Sequence, residues 1–190
     1  DNTAPITATI AQPTGGSYWR GTFIINATAA DNAGGSGIAS VQFWDGPPGT
    51  GTLLGTDTTA PYQYTWATTP ANDGAHTLYV RAVDQAGNRL NSTGVAITID
   101  NTAPITATIT QPTGGSIWRG TFIINATAAD NAGGSGIGSV QFWDGPPGTG
   151  TLLGTDNTAP YQYTWATTPA NDGAHQLHVR AVDRAGNTLN

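Results

Sequence analysis

Apolar and polar residues alternate in short runs along the whole chain, and clusters of Gly, Pro, Asn and Asp separate the runs. A period of two with such punctuation marks half-buried strands joined by turns. The first hundred residues predict seven strands: Ile6–Ile10, Thr22–Ala30, Ile38–Trp44, Thr52–Gly55, Tyr62–Thr68, His76–Val83 and Val95–Ile99. In the second of these, Phe23, Ile25, Ala27 and Ala29 share one face while Asn26 and Thr28 share the other. Val41 with Phe43, and Leu78 with Val80 and Ala82, are predicted to point inward in the same way, and Tyr62, Tyr64 and Trp66 fall in phase. No stretch carries a helical period, so the fold class is all-β.

The pattern then repeats. DNTAPITATI begins at Asp1 and again at Asp100, and residues 1–91 align on 100–190 without a gap and with eight differences. A unit of 99 residues is large enough to hold its own core. The reading is therefore two domains of one kind, 1–99 and 100–190, rather than a solenoid. Seven short strands per unit point to tandem Ig-like or fibronectin-like β-sandwiches. Two of the eight differences, Thr77/Gln176 and Tyr79/His178, fall on the outer face of one predicted strand, where substitution is cheap. Asn190 is the equivalent of Asn91, so the second copy lacks a counterpart of the strand at Val95–Ile99 and is expected to expose an unpaired edge. Two sources fit that edge: a longer array from which this chain is a piece, or a strand donated by a neighbouring chain. The near identity of the copies favours the array, as the product of recent duplication.

Composition narrows the classes further. All 12 acidic residues are Asp and all 6 basic ones are Arg; Glu, Lys, Cys and Met are absent, while Gly numbers 26 and Pro 12. That inventory disfavours helices and suits strands and turns. Without Cys there is no disulfide framework and no thiolate ligand or nucleophile. A net charge of −6 argues against nucleic acid or an anionic membrane as a partner. No apolar run approaches the roughly 18 residues of a membrane span. Neither an initiator Met nor a signal peptide is present, so the chain reads as a mature or excised segment.

The runs SGIASVQFWDG, LLGTDTTAPYQYTW, NDGAHTLYVRAVDQAGN and VAITIDNTAP resemble bacterial Ig-like domains. APYQYTW, the DGAH turn and VDQAGN are the most specific elements, and the resemblance covers essentially the whole chain. It implies an Ig-like sandwich found in tandem arrays of secreted and cell-surface proteins, acting as spacer, stalk or accessory module and carrying no catalytic residues.

Strand polarity turns the Asp positions into a geometric expectation. With seven strands alternating in direction, the loops after the second, fourth and sixth lie at the same end as the N-terminal segment. Those loops and that segment carry Asp1, Asp31, Asp57 and Asp84 in the first copy, and Asp100, Asp130, Asp156 and Asp183 in the second. Gathered carboxylates repel unless a cation compensates. Calcium accepts six to eight oxygens from Asp, Asn and backbone carbonyls in flexible geometry, which Asp/Asn/Gly-rich loops supply. The expected site is an inter-domain Ca²⁺ site from Asp100, Asn101, Asp130 and Asp183 that stiffens the joint, with Asp1, Asp31 and Asp84 as its counterpart in the first copy. The plainer alternative is that these Asp residues cap their own turns, with Gly supplying positive φ. Asp45 in DGPPG and Asp73 in NDG read as turn residues of that sort, and no EF-hand spacing is present.

Other chemistry is sparse. His76 and His175 recur in the DGAH turn without a nucleophile elbow beside them, so they read as turn histidines bonded to backbone. A glycosidase pair from Asp45 and Asp73 is disfavoured by their turn settings. Trp66 with Tyr62 and Tyr64 reads as core, whereas Trp19 and Trp44 are candidates for exposure. The expected function is a non-enzymatic, extracellular tandem repeat: a stalk, adhesin spacer or filament-forming chain whose partners are neighbouring repeats of the same or identical chains. The alternative is a carbohydrate-binding accessory module of a secreted polysaccharide-active enzyme, with a glycan as partner and exposed coplanar Trp rings as its mark.

Overall fold

A computed structural model describes all residues, Asp1 to Asn190. The chain divides into two compact units, Asp1–Asn101 and Thr102–Asn190. The division falls two residues past the sequence repeat because Asp100 and Asn101 are tied to the first unit. The Asp100 N–H donates to the Trp19 carbonyl at 2.9 Å, and the Asn101 N–H to Asp73 Oδ1 at 2.7 Å.

The first unit is a two-layer sandwich. One sheet orders β1 (Thr7–Gln12), β3 (Thr22–Ala30) and β6 (Tyr62–Ala67). The other orders β2 (Tyr18–Trp19), β9 (Val95–Ile99), β7 (Gly74–Asp84), β4 (Ile38–Asp45) and β5 (Thr52–Asp57), with β8 (Arg89–Asn91) also paired to β7. All pairings are antiparallel except β2 with β9. The alternation read from the sequence is the one that packs. Phe23, Ile25, Ala27, Val41, Phe43, Trp66, Leu78, Val80 and Ala82 form the core between the sheets, closed by Ile97 and Ile99 of β9. Burial of these branched and aromatic side chains is the main favourable term in the fold. Gly55 sits in β5 because a Cβ there would lie 2.4 Å from the Tyr64 ring, which needs that space to stack on Phe43.

Two elements escape sequence patterning. β2 and β8 are two and three residues long, too short to show a period. A 3₁₀ turn at Pro70–Asn72 joins β6 to β7, and the β7 strand begins two residues earlier than expected, at Gly74. There its backbone pairs with β9, from Gly74 opposite Ile99 to Leu78 opposite Val95.

The second unit repeats the design with β10 (Thr106–Gln111), β11 (Thr121–Ala129) and β14 (Tyr161–Ala166) in one sheet. The other holds β13 (Thr151–Asp156), β12 (Ile137–Asp144), β15 (Leu177–Asp183) and β16 (Thr188–Leu189). The sequence ends at the equivalent of Asn91 and so includes no residues equivalent to β9, and residues 117–118, the equivalents of β2, are not strand. β15 accordingly starts at Leu177, three residues later than β7 does in the first copy. Leu177 is only partly covered, whereas its equivalent Leu78 is fully buried.

Candidate carboxylate site

Asp1, Asp31 and Asp84 converge. Asp1 comes from the N-terminal segment, Asp31 from the residue after β3, and Asp84 from the last residue of β7. One carboxylate oxygen of each lies within 4.8 Å of the others. Three segments meet there because antiparallel alternation returns β3 and β7 to the end at which β1 begins.

Backbone donors hold each carboxylate in place. Asp31 Oδ2 accepts the Gly37 N–H at 2.6 Å and Oδ1 the Asn32 N–H at 3.0 Å. Asp1 Oδ2 accepts from the Ser36 N–H and hydroxyl, at 2.8 and 3.1 Å, and Oδ1 accepts the Thr3 N–H at 2.9 Å. Asp84 is buried, 1% exposed, and accepts the Asn88 backbone N–H and side-chain amide, both at 2.8 Å. Burial opposes ionisation of Asp84, yet the hydrogen bonds from Asn88, Ala86 and Gly87 outweigh it and hold the carboxyl below its ordinary pKa. Asn88 also donates to the Asp1 and Thr3 carbonyls at 3.3 Å, stitching the N-terminal segment to the loop after β7.

One nearby polar atom has no such partner. Asn32 Oδ1 is buried and accepts no hydrogen bond. A Cβ at Gly35 would stand 2.7 Å from it and 2.6 Å from Asp31 Oδ2, so glycine leaves these two oxygens side by side.

In the second unit, Asp130 Oδ2 accepts the Gly136 N–H at 2.6 Å, and Asp183 accepts the Asn187 N–H and amide at 2.8 Å each. Asn131 Oδ1 is buried without a partner, as Asn32 Oδ1 is. Asp100, the sequence counterpart of Asp1, is the penultimate residue of the first unit and is buried.

Two sequence expectations change. Asn101 does not offer a free ligand oxygen, because its side chain is a clamp for the first unit. Its Oδ1 accepts the Gly21 N–H at 2.6 Å, and its amide donates to the Thr69 carbonyl and Asp73 Oδ1 at 3.0 Å. Asp57, expected among the gathered carboxylates, lies outside the cluster and closes its own turn. It accepts the Thr59 and Gln63 N–H groups at 3.0 and 2.9 Å, and the Gln63 bond leads in holding its pKa below the usual value.

The opposite end of each unit holds a different constellation. His76 Nδ1 pairs with Asp45 Oδ2 at 2.8 Å and its Nε2 with the Asn72 carbonyl at 2.7 Å, so this histidine joins a carboxylate as well as the expected backbone. His175 does the same with Asp144 and Asn171, at 2.7 and 2.6 Å, and these contacts raise its pKa, the Asn171 carbonyl most. Neither histidine stands beside a Ser or Thr hydroxyl in a hydrogen bond that would make a nucleophile–base pair.

In the first unit the tryptophans are packed against other side chains. Trp66 is 7% exposed in the core, and Trp19 stacks on Phe23 with its indole N–H on Ser17 Oγ. Trp44 lies on the outer sheet face, half-buried under the Arg81 guanidinium, 5.5 Å from the ring centre. That cation occupies the ring face on which a sugar would stack.

Comparison with known proteins agrees with this architecture. The bacterial Ig domain family matches residues 7–80 and 104–179. The chain is 32% identical over 166 residues to Exoglucanase B of Cellulomonas fimi; the match covers 85% of this chain and spans only 14% of that protein's length. Among solved structures, the fibronectin(III)-like modules of Clostridium thermocellum CbhA superpose with a TM-score of 0.60 at 28% identity, over 97% of this chain and 90% of theirs. Domains A168–A170 of titin share the fold at a TM-score of 0.53 and 14% identity, over 98% of this chain and 63% of theirs. No helix is long and apolar enough to cross a membrane. The two sandwiches, their strand order and the two matched segments together show that this chain belongs to the bacterial Ig domain family.

Proposed function

We propose that the chain is a non-catalytic structural spacer within an extracellular multidomain protein, and that the carboxylate end of each copy binds calcium. The observation that carries the metal reading is the convergence of Asp1, Asp31 and Asp84 to within 4.8 Å, beside the buried and unpartnered Asn32 Oδ1. All four donors are oxygens, the set a hard cation takes, and backbone carbonyls or water complete a flexible shell of six to eight. No histidine or thiolate joins the cluster to favour zinc. In sequence the second copy repeats the set as Asp100, Asp130 and Asp183, with Asn131 in the place of Asn32. A bound cation would offset the repulsion among the carboxylates and fasten the N-terminal segment to the loops after β3 and β7.

Family membership and the likeness to CbhA modules support the spacer role. Similarity to part of an exoglucanase supports a setting in a secreted polysaccharide-active protein, with adjoining modules as partners. The buried Trp66 and the Arg-covered Trp44 favour spacing over direct glycan binding.

Thermal unfolding in EDTA and in millimolar calcium tests the metal reading. Calcium at about 100 times Kd adds roughly 2.7 kcal/mol, an upward shift of at least about 10 °C for a unit of this size. Asp31→Asn reduces the shift of the first unit. Identical melting curves in EDTA and calcium overturn the reading.

A further inference from the structure

Two of the eight differences between the copies fall just after the last carboxylate of each set. They are Gln85/Arg184 and Arg89/Thr188. Each copy thus keeps one arginine in this stretch but places it differently. Arg89 opens β8 opposite Val83 of β7. The neighbours of Val83 along β7, Ala82 and Asp84, are buried, so alternation turns Val83 and its cross-strand partner Arg89 to the outer face of the sheet, away from Asp84.

Position 85 or 184 lies at the carboxylate end instead. The Gln85 N–H donates to the Gly37 carbonyl and the Arg184 N–H to the Gly136 carbonyl, both at 2.9 Å. The N–H of the same glycine is the donor that Asp31 Oδ2, or Asp130 Oδ2, accepts at 2.6 Å. The side chain also lies against that glycine. A Cβ on Gly37 would stand 3.6 Å from Gln85 Nε2, and one on Gly136 would stand 4.0 Å from Arg184 Nη1. These contacts hold the side-chain end within roughly 10 Å of the carboxylate, the reach of a charge in 0.1 M salt. In the first unit that end is a neutral amide; in the second it is a permanently charged guanidinium.

We propose that the residue at position 85 or 184 grades the calcium affinity of its carboxylate set, glutamine giving a tighter site than arginine, a grading that rests on the calcium reading above. A divalent cation brought to Asp130 and Asp183 is repelled by the Arg184 charge, whereas Gln85 presents only a dipole. Arg184 also offsets part of the repulsion between the carboxylates before any ion arrives, so less is gained when calcium takes over that role. Copies of one fold then fill at different calcium concentrations through a single side chain that ligates nothing.

Calcium titration calorimetry on the 190-residue protein tests this, with Asp130→Asn isolating the first site and Asp31→Asn the second. In low salt, Gln85→Arg weakens the first site at least about threefold, the effect of an exposed charge pair doubled for a divalent ion. Arg184→Gln tightens the second site by a similar factor, while Arg184→Lys keeps the charge and the affinity. Arg89→Thr leaves the first site unchanged, because that arginine points off the sheet face. The Gln85→Arg and Arg184→Gln effects shrink in about 0.5 M KCl, where screening shortens the reach of the charge; an effect of loop shape would persist. Calcium binding that neither substitution alters, effects that high salt leaves intact, or an Arg184→Lys protein that binds as Arg184→Gln does would each overturn the grading and leave the calcium reading standing. Absence of calcium binding in the unsubstituted protein overturns both.

Discussion

His175 shows how a single side chain can be readable as a turn residue and yet do more. Both of its ring nitrogens face acceptors, the Asn171 carbonyl and the Asp144 carboxylate, so the doubly protonated ring satisfies both contacts. Its pKa is raised above the ordinary 6.5 for that reason. A raised folded-state value means that stability is fully present below about pH 6.5 and is lost as pH rises through the folded pKa. The melting temperature of the second unit therefore falls as pH rises above about 6.5, and His175→Gln flattens that part of the profile. A profile that His175→Gln leaves unaltered contradicts the assignment. Asn101 teaches the same lesson from another direction. Its composition and its neighbour Asp100 marked it as a ligand, but its partners Gly21, Thr69 and Asp73 lie 28 to 80 residues away in sequence and no local pattern signals them.

Among the elements, β9 decides most. It contributes Ile97 and Ile99 to the core and covers Leu78, which is fully buried in the first unit and only partly so at Leu177 in the second. β2 forms only where β9 is present to pair with it; the equivalent residues 117–118 are not strand. Truncating Ile99 to Ala removes a fully buried side chain and leaves a cavity, at a cost of about 2–5 kcal/mol by analogy with other buried aliphatic truncations. Urea unfolding of the first unit measures it, and a loss below about 0.5 kcal/mol, the range of surface substitutions, shows that β9 does not seal the core. The strand periods were legible wherever a run spanned five or more residues. β8 was missed because three residues carry too little pattern, and its place beside β7 depends on the β7 register.

For the molecule, two compact units with separate cores predict two unfolding transitions. Ile124→Ala destabilises the second unit and Ile25→Ala the first, each by about 2–5 kcal/mol in its own unit, since both side chains are buried; differential scanning calorimetry resolves them. A single transition moved equally by both substitutions contradicts independent cores. The net charge of −6 belongs at this scale as well, since half of the 12 Asp residues are the two sets Asp1, Asp31, Asp84 and Asp100, Asp130, Asp183.

The chain's alternation, its 99-residue period and the positions of its Asp residues were enough to determine two β-sandwiches and the end of the first at which three carboxylates gather. Alternation sets which face is buried, and strand count sets which loops share an end, so both follow from the order of residues alone. Tertiary structure decided which of those residues are committed elsewhere. Asp57 closes a turn, Asn101 clamps a strand, and Asp45 holds a histidine, while Asn32 Oδ1 is buried without a bond. Hydrogen-bond partners distant in sequence meet only after the sheets have packed, and it is their meeting that separates a structural carboxylate from an available one.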